Sequence, residues 1–230
     1  MFMKDFSNDA YNYLNKNFTS EEIISALKNG DDVNKSAAIL SINFCDELIS
    51  NLLIYNLTNQ SGPVRELCAY KISELIPVYH QYFQRKTTLN IIINSLTDVN
   101  PNVVRFMLVT LNFIDNKDYI FENICNKIQN LYNEISKIPR RGKTQEHVYT
   151  KKCFKIYWLF ESIKTILTNE PKIKVNSKFK ELIQNLSCCD QYTIREKIAQ
   201  IVNLLPKTEF SGIKKKLEKD NNYFVKRGCK

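Results

Sequence analysis

Three stretches of the chain begin in the same way, and this recurrence limits the available folds more than any other feature. Each places a β-branched residue directly before an arginine at the start of an apolar pattern: Gly62-Pro63-Val64-Arg65, Asn102-Val103-Val104-Arg105 and Tyr192-Thr193-Ile194-Arg195. Arg65 and Arg105 are 40 residues apart, and 90 residues separate Arg105 from Arg195, which leaves room for two units and an insertion. A recurring unit of this length is typical of repeat proteins.

The apolar pattern within and between these stretches is helical. After Pro63 the apolar residues recur at spacings of three and four, at Val64, Leu67, Cys68, Ile72 and Leu75. A capping box at Thr19 and Glu22 predicts a helix that ends at Gly30, whereas Pro77 predicts a break. The chain of 230 residues has only 5 Gly and 6 Pro, too few for the turns of an all-β fold. The sequence therefore predicts an all-α fold of about a dozen helices.

The segment from Asp98 to Arg105, followed by FMLVTLNFI, resembles the HEAT repeat, a helical hairpin whose first helix opens with an Asp, a Pro and a Val-Arg pair. Two weaker units are expected at 31–35 and at 147–152, where Lys replaces Arg. The resemblance implies an α-solenoid (an α-α superhelix) of about five hairpins forming a single domain over residues 1–230. It also implies hydrogen bonds between the Asp and Arg of adjacent turns, by position Arg65, Asp98, Arg105, Asp190 and Arg195.

The charge of the chain is unevenly distributed. The formal net charge is +9, but residues 136–230 hold 22 basic and 9 acidic residues, whereas residues 1–135 hold 11 and 15. A basic segment of this kind favours an anionic partner, although a lysine-rich composition with solvated lysines is the plainer explanation.

The basic residues that we consider for partner or anion binding lie in two groups. The first surrounds a predicted inter-repeat loop at 139–146, and the second precedes a predicted basic tail at 221–230. The candidates are Arg140, Arg141, Lys143, Lys151, Lys152, Lys155, Lys214, Lys215 and Lys216. Tyr149, Phe154, Tyr157 and Trp158 are interleaved with the first group, where they are suited either to stacking on bases or to core packing.

No motif for catalysis, metal or cofactor binding is present. The sequence contains no GxGxxG, P-loop, HExxH or GxSxG pattern, and its 2 His and 7 Cys have no zinc-type spacing. The first residues do not read as a signal peptide, and no apolar stretch is long enough to span a membrane. We therefore expect a cytoplasmic protein that has free thiols, needs no cofactor or metal, and is not an enzyme.

Two classes of function fit these observations. The preferred interpretation is a non-catalytic scaffold that binds a protein partner on its solenoid surface. The alternative is a nucleic-acid-binding solenoid, similar to the HEAT-like alkylpurine DNA glycosylases, which grip DNA with a basic face. The glycosylase pocket needs Trp residues, and this chain has 1 Trp. HEAT-type lyases acting on bilins are a third class, supported only by the repeat.

Overall fold

The regular structure of the chain is helical. The computed structural model describes residues 18–139, 142–173 and 175–230, and within these ranges it contains helices and no strands. The prediction of an all-α fold is therefore confirmed. The described residues form α1 Ser20–Asn29, α2 Asp32–Ser41, α3 Glu47–Asn56, α4 Gly62–Tyr79, α5 Lys86–Ser95, α6 Pro101–Thr110, α7 Lys117–Ile135, α8 Lys143–Asn169, α9 Ser177–Leu186, α10 Tyr192–Val202, α11 Lys207–Leu217 and α12 Tyr223–Gly228.

Side-chain caps define where several helices begin. The Thr19 hydroxyl accepts from the backbone N–H of Glu22, and the Glu22 carboxylate accepts from the N–H of Thr19, which completes the predicted capping box. Asp31, Asp46 and Asn100 accept backbone N–H groups at the starts of α2, α3 and α6. Each cap satisfies donors that a helix N-terminus leaves unpaired, so the polar turns fix the helix boundaries.

The described residues up to Ile114 form one compact unit. Within it α2, α4 and α6 pack side by side in one layer, and α1, α3 and α5 form a second layer against them. The predicted stripe of α4 faces this contact, since Val64, Cys68 and Ile72 are fully buried. Val64 and Ile72 each contribute about 1.5–3 kcal/mol when they leave water, so packing between layers holds the unit together.

The residues from Asp115 onward form a second compact unit with the same arrangement. Here α8, α10 and α12 form one layer, while α7, α9 and α11 lie against them. Phe160, Phe179 and Phe210 are among its largest fully buried side chains. Neighbouring helix pairs thus pack in succession within each unit, as in the α-solenoid that the repeats predict.

Three local predictions differ from the structure. Pro77 does not break α4, because it lies in the last turn, where the missing N–H costs one hydrogen bond, and the helix continues to Tyr79. The helix α8 begins at Lys143, inside the predicted loop 139–146, and α12 occupies most of the predicted tail 221–230. None of the described helices is both long enough and apolar enough to cross a membrane.

Candidate functional site

An arginine at the start of α4 joins two consecutive turns of the first unit. The Arg65 side chain donates to Asp98 through Nε at 2.7 Å and through Nη2 at 3.0 Å, a bidentate pair in which both side chains are mostly buried. Its Nη1 also donates to the carbonyls of Asn59 and Gln60, each at 2.9 Å. One guanidinium therefore fixes its own turn and the turn before α6.

The second unit repeats this geometry. Arg195 donates to Asp220 at 2.6 Å and 3.0 Å, and its Nη1 donates to the carbonyls of Cys189 and Asp190 at 2.5 Å and 2.9 Å. The side-chain partner of Arg195 is thus Asp220, before α12, whereas Asp190 contributes its carbonyl. The hydrogen bond from Arg195 holds the pKa of Asp220 below its usual range.

Arg105 is the third arginine for which a hydrogen bond to an Asp of an adjacent turn was expected. It is exposed, and it donates to Asn102 in its own helix at 2.9 Å. Beside the first bridge, the Glu66 carboxylate accepts from the side chains of Asn100 and Asn102 at 2.7 Å and 2.9 Å. This carboxylate is therefore held in place by amides, an arrangement suited to a structural role.

The first group of candidate basic residues lies on α8, with two members outside the described residues, Arg140 and Arg141. Lys143 and Lys151 are exposed, and Lys152 forms an ion pair with Glu134 of α7. Lys155 lies near Lys127, whose pKa falls to about 8 because burial and this neighbouring positive charge both disfavour its charged form.

The second group lies on α11 and has other surroundings. Lys214 donates to the side-chain oxygen of Asn203 at 2.8 Å, Lys215 is exposed, and Lys216 contacts the Sγ of Cys188 at 2.5 Å. Because α8 and α11 belong to different layers of the second unit, the two groups do not lie on the same layer.

The aromatic residues of α8 divide between core and surface. Tyr149 and Phe160 are buried, whereas Phe154 is 52% exposed. The Phe154 ring lies 5.8 Å from that of Trp158, and Tyr157 lies 5.5 Å from the same ring. The four interleaved aromatics predicted from sequence are therefore not one continuous exposed surface.

Comparisons with known proteins agree with the repeat geometry. A family model described as "non-SMC mitotic condensation complex subunit 1", a HEAT-type helical family, matches residues 37–150. The chain is a HEAT-repeat protein. The matched segment includes the Arg65–Asp98 bridge and ends in α8. No curated protein sequence matches the chain significantly.

Among solved structures, an engineered protein determined by the Northeast Structural Genomics Consortium is 14% identical, with a TM-score of 0.42. The match covers 90% of the HEAT-repeat chain described here and 92% of the engineered chain. A likeness at this level does not define a fold family.

Two features of this HEAT-repeat protein were not anticipated from its sequence. Lys197, which is buried, forms an ion pair with Glu161 at 2.5 Å and lies 4.7 Å from the centre of the Tyr157 ring. Tyr192, Tyr223 and Phe224, called the aromatic trio here, are 41%, 65% and 49% exposed. In the sequence, the aromatic trio is marked only by its position in the first turns of α10 and α12.

The described residues include several free thiols whose surroundings differ. The described residues contain no group of three or more His, Cys, Asp or Glu side chains able to hold a metal ion. Burial raises the pKa of Cys45, Cys68 and Cys125 to about 12, so these thiols stay neutral. Cys188 differs, since the hydrogen bond from Lys216 lowers its pKa.

Proposed function

We propose that this HEAT-repeat protein is a non-catalytic scaffold that binds a protein partner. The observation that carries the proposal is the aromatic trio Tyr192, Tyr223 and Phe224, which remains on the surface of the second unit. Aromatic side chains are enriched in the central contacts of protein interfaces, where they bury a large area at a small entropic cost.

The trio is held in place before any partner arrives. The rings of Tyr192 and Phe224 stack with centroids 6.3 Å apart, and those of Tyr223 and Phe224 meet edge to face at 5.6 Å. The Arg195–Asp220 bridge joins the turns from which α10 and α12 begin. A rigid platform loses little conformational freedom on binding, which favours recognition by a folded partner.

The family comparison supports the same conclusion. The matching model is described as a subunit of a multi-protein complex, so we propose that this chain also works within an assembly. We keep the cytoplasm as its proposed location. The nucleic-acid alternative depends on basic residues sharing one surface. The placement of Lys151, Lys152 and Lys155 on α8 and of Lys214–Lys216 on α11 does not favour it.

The test is site-specific photo-crosslinking of the tagged full chain in its source cells. A crosslinking amino acid replaces Phe224, and the matched control places it at exposed Lys172 of the same unit. We expect one protein to crosslink from position 224 and not from position 172, and the double variant Tyr223→Ser, Phe224→Ser to lose that protein from native complexes.

The scaffold proposal fails if position 224 gives no protein adduct, or gives the same adducts as position 172. Adducts to nucleic acid in place of protein would select the alternative function. Far-UV circular dichroism of the double variant establishes that a loss of binding is not a loss of fold.

A further inference from the structure

A groove between α7 and α9 in the second unit has the chemistry of a peptide-binding site. The cavity has a volume of about 520 Å³, and it lies between side chains of the two helices. We propose that it binds an extended peptide segment that carries a lysine or arginine. The groove lies in the layer opposite to that of α10 and α12, so this proposal does not depend on the aromatic trio.

One wall of the groove is a row of carboxamides on α7. Asn126, Gln129 and Asn133 all line the cavity, and their spacing of three and four residues places them on one helix face. Gln129 Nε2 donates to Asn133 Oδ1 at 2.9 Å, and this bond does not use the Gln129 oxygen or the Asn133 amide group. A carboxamide offers one acceptor and two donors, and therefore pairs with a peptide C=O and N–H together.

The opposite wall adds the same chemistry from α9. Asn185 lines the cavity and is exposed, and Asn176 lines its end while its Oδ1 accepts from the N–H of Phe179 at 2.9 Å. Carboxamides are thus present on both sides of the cavity. An extended backbone exposes N–H and C=O groups on both of its edges, so two such walls match it better than they match a helix, whose backbone groups are already paired.

The floor between the walls is apolar. The buried rings of Phe121 and Phe179 lie 5.0 Å apart, and Leu182 is also buried there. Cys125 lines the same side, and burial raises its pKa to about 12, so the thiol adds no negative charge. An apolar floor below polar walls suits a peptide that places every second side chain against the protein.

The charge of the rim selects the occupant. Glu122 of α7 and Glu181 of α9 both line the cavity and are exposed, and Lys178 is the basic residue of the lining. The lining therefore holds two carboxylates and one ammonium group, so its formal charge is negative although the chain as a whole carries +9. A basic side chain on the peptide pairs with them, whereas an acidic ligand is repelled by them and an oligonucleotide is disfavoured.

The length of the wall sets the length of the recognised segment. Asn126 and Asn133 are seven residues apart on α7, which corresponds to about 10 Å along a helix axis. An extended chain advances about 3.3 Å per residue, so the wall contacts about three peptide residues. Affinity from so few residues is modest, and binding in the micromolar range is the expected regime.

The experiment uses the full chain and a positional-scanning library of fluorescein-labelled peptides of about eight residues, followed by fluorescence polarisation. Pools with a central Lys or Arg should bind best. Methylation of the backbone nitrogens at the centre of the best peptide, and the double variant Asn126→Ala, Asn133→Ala, should each weaken binding about tenfold, because both remove main-chain hydrogen bonds.

Two variants separate charge from backbone recognition. The double variant Glu122→Gln, Glu181→Gln should bind the Lys peptide several-fold more weakly and leave the affinity for its Leu counterpart unchanged. Asn130→Ala is the matched control, since Asn130 is an exposed residue of α7 outside the cavity lining, and it should bind as the wild type does. Thermal melting establishes that each variant is folded.

The proposal is overturned if no pool binds the wild type more tightly than it binds the Asn126→Ala, Asn133→Ala protein. It is overturned equally if acidic pools are preferred, or if backbone methylation leaves the affinity unchanged. A failure here, with the photo-crosslinking at position 224 still positive, removes the groove and leaves the scaffold proposal in place.

Discussion

Arg65 and Arg195 occupy equivalent positions in the two units, and each combines a bidentate pair with two backbone carbonyls. A planar guanidinium satisfies four acceptors in this arrangement, which the single ammonium of lysine does not reproduce. We therefore propose that these arginines stabilise the turns.

The first prediction concerns this geometry. Arg65→Lys should lower the free energy of unfolding by about 1–3 kcal/mol, because it leaves mostly buried acceptors unpaired. Arg105→Lys is the matched control, and since Arg105 is exposed and has one side-chain bond in its own helix, its effect should stay below about 0.5 kcal/mol. Urea unfolding measures both, and equal losses would contradict the structural role.

The second prediction concerns pH. The hydrogen bond from Arg195 lowers the pKa of Asp220 in the folded state. The stabilisation is therefore complete above the unfolded pKa of about 3.9, and it is lost as the pH falls through the lowered folded pKa. Asp220→Asn should reduce the free energy of unfolding at neutral pH and flatten its decline below about pH 4.

Urea unfolding between about pH 2.5 and pH 6 tests this dependence. Asn221→Ala serves as control, because Asn221 is exposed, follows Asp220 directly and does not titrate, so the pH profile of this variant should run parallel to that of the wild type. A profile for Asp220→Asn that also runs parallel to the wild type would show that the carboxylate does not titrate as described.

The third prediction concerns the thiols. Cys188 is exposed, and the contact with Lys216 favours its thiolate, so it should react with iodoacetamide faster than the six other cysteines. Lys216→Met should slow the reaction several-fold, and Lys215→Met should not. Mass spectrometry of digested protein gives the rates, and faster labelling of Cys189 would be the contrary result.

Sequence reasoning at this scale found the residue types and missed some of their partners. The Val-Arg pattern identified Arg65, Asp98 and Arg195, because the first turn of a repeat has a recognisable order. It named Asp190 among the residues of these hydrogen bonds and did not name Asp220, which is the side-chain partner of Arg195. The second turn lies 25 residues farther along the chain, and Asp220 is followed by Asn-Asn-Tyr-Phe instead of the expected Pro and Val-Arg.

At the scale of elements, a side chain of one helix also pairs with the C-terminal backbone of the neighbouring helix in its layer. Lys71 of α4 is buried, and its Nζ donates to the carbonyl of Ile42 at 2.9 Å, directly after α2. It also forms an ion pair with Glu74 at 2.8 Å. The C-terminus of a helix leaves carbonyls unpaired, so a lysine from the next helix of the layer supplies the missing donor.

The fourth prediction tests this link. Lys71→Met keeps the apolar stem but removes the donor, and should lower the free energy of unfolding by about 1–3 kcal/mol. Lys28→Met, at an exposed position near the end of α1, should change it by less than about 0.5 kcal/mol. Urea unfolding compares the two variants. If Lys71→Met left the free energy of unfolding unchanged, water would satisfy the Ile42 carbonyl as well as Lys71 does.

Most helices could be predicted because caps and apolar spacing are local. The limits of α1, α6 and α9 follow from Thr19, Asn100 and their apolar stripes. The continuation of α4 past Pro77 could not be predicted, because whether a helix tolerates a proline depends on the position of that proline along the helix. No sequence pattern distinguishes Lys71 and Lys197 from the other lysines, and it is tertiary packing that buries them.

At the scale of the molecule, charge and surface chemistry point to different partners. A strongly basic C-terminal segment attracts polyanions in general, while the aromatic trio and the groove between α7 and α9 are suited to polypeptides. General attraction is weak and steeply dependent on salt. The two kinds of binding are therefore separable by measurement.

The fifth prediction follows from this separation. The chain should bind short single- and double-stranded DNA alike, with dissociation constants above about 1 µM at 150 mM salt, and more tightly at 50 mM. Substitution of Lys214, Lys215 and Lys216 by Glu should reduce the salt dependence. Fluorescence anisotropy measures both, and nanomolar binding of one nucleic acid at 200 mM salt would favour the nucleic-acid function over the scaffold.

The two arginine bridges close over chain segments of unequal length. Arg65 reaches Asp98 across 33 residues, whereas Arg195 reaches Asp220 across 25, with nearly the same bond lengths. Each bridge fixes the position at which consecutive turns meet, but it does not fix the length of the helices between those turns. Such a protein can gain or lose helical turns over evolutionary time without dismantling its stack, and its relatives are better recognised by paired turns than by a constant repeat length.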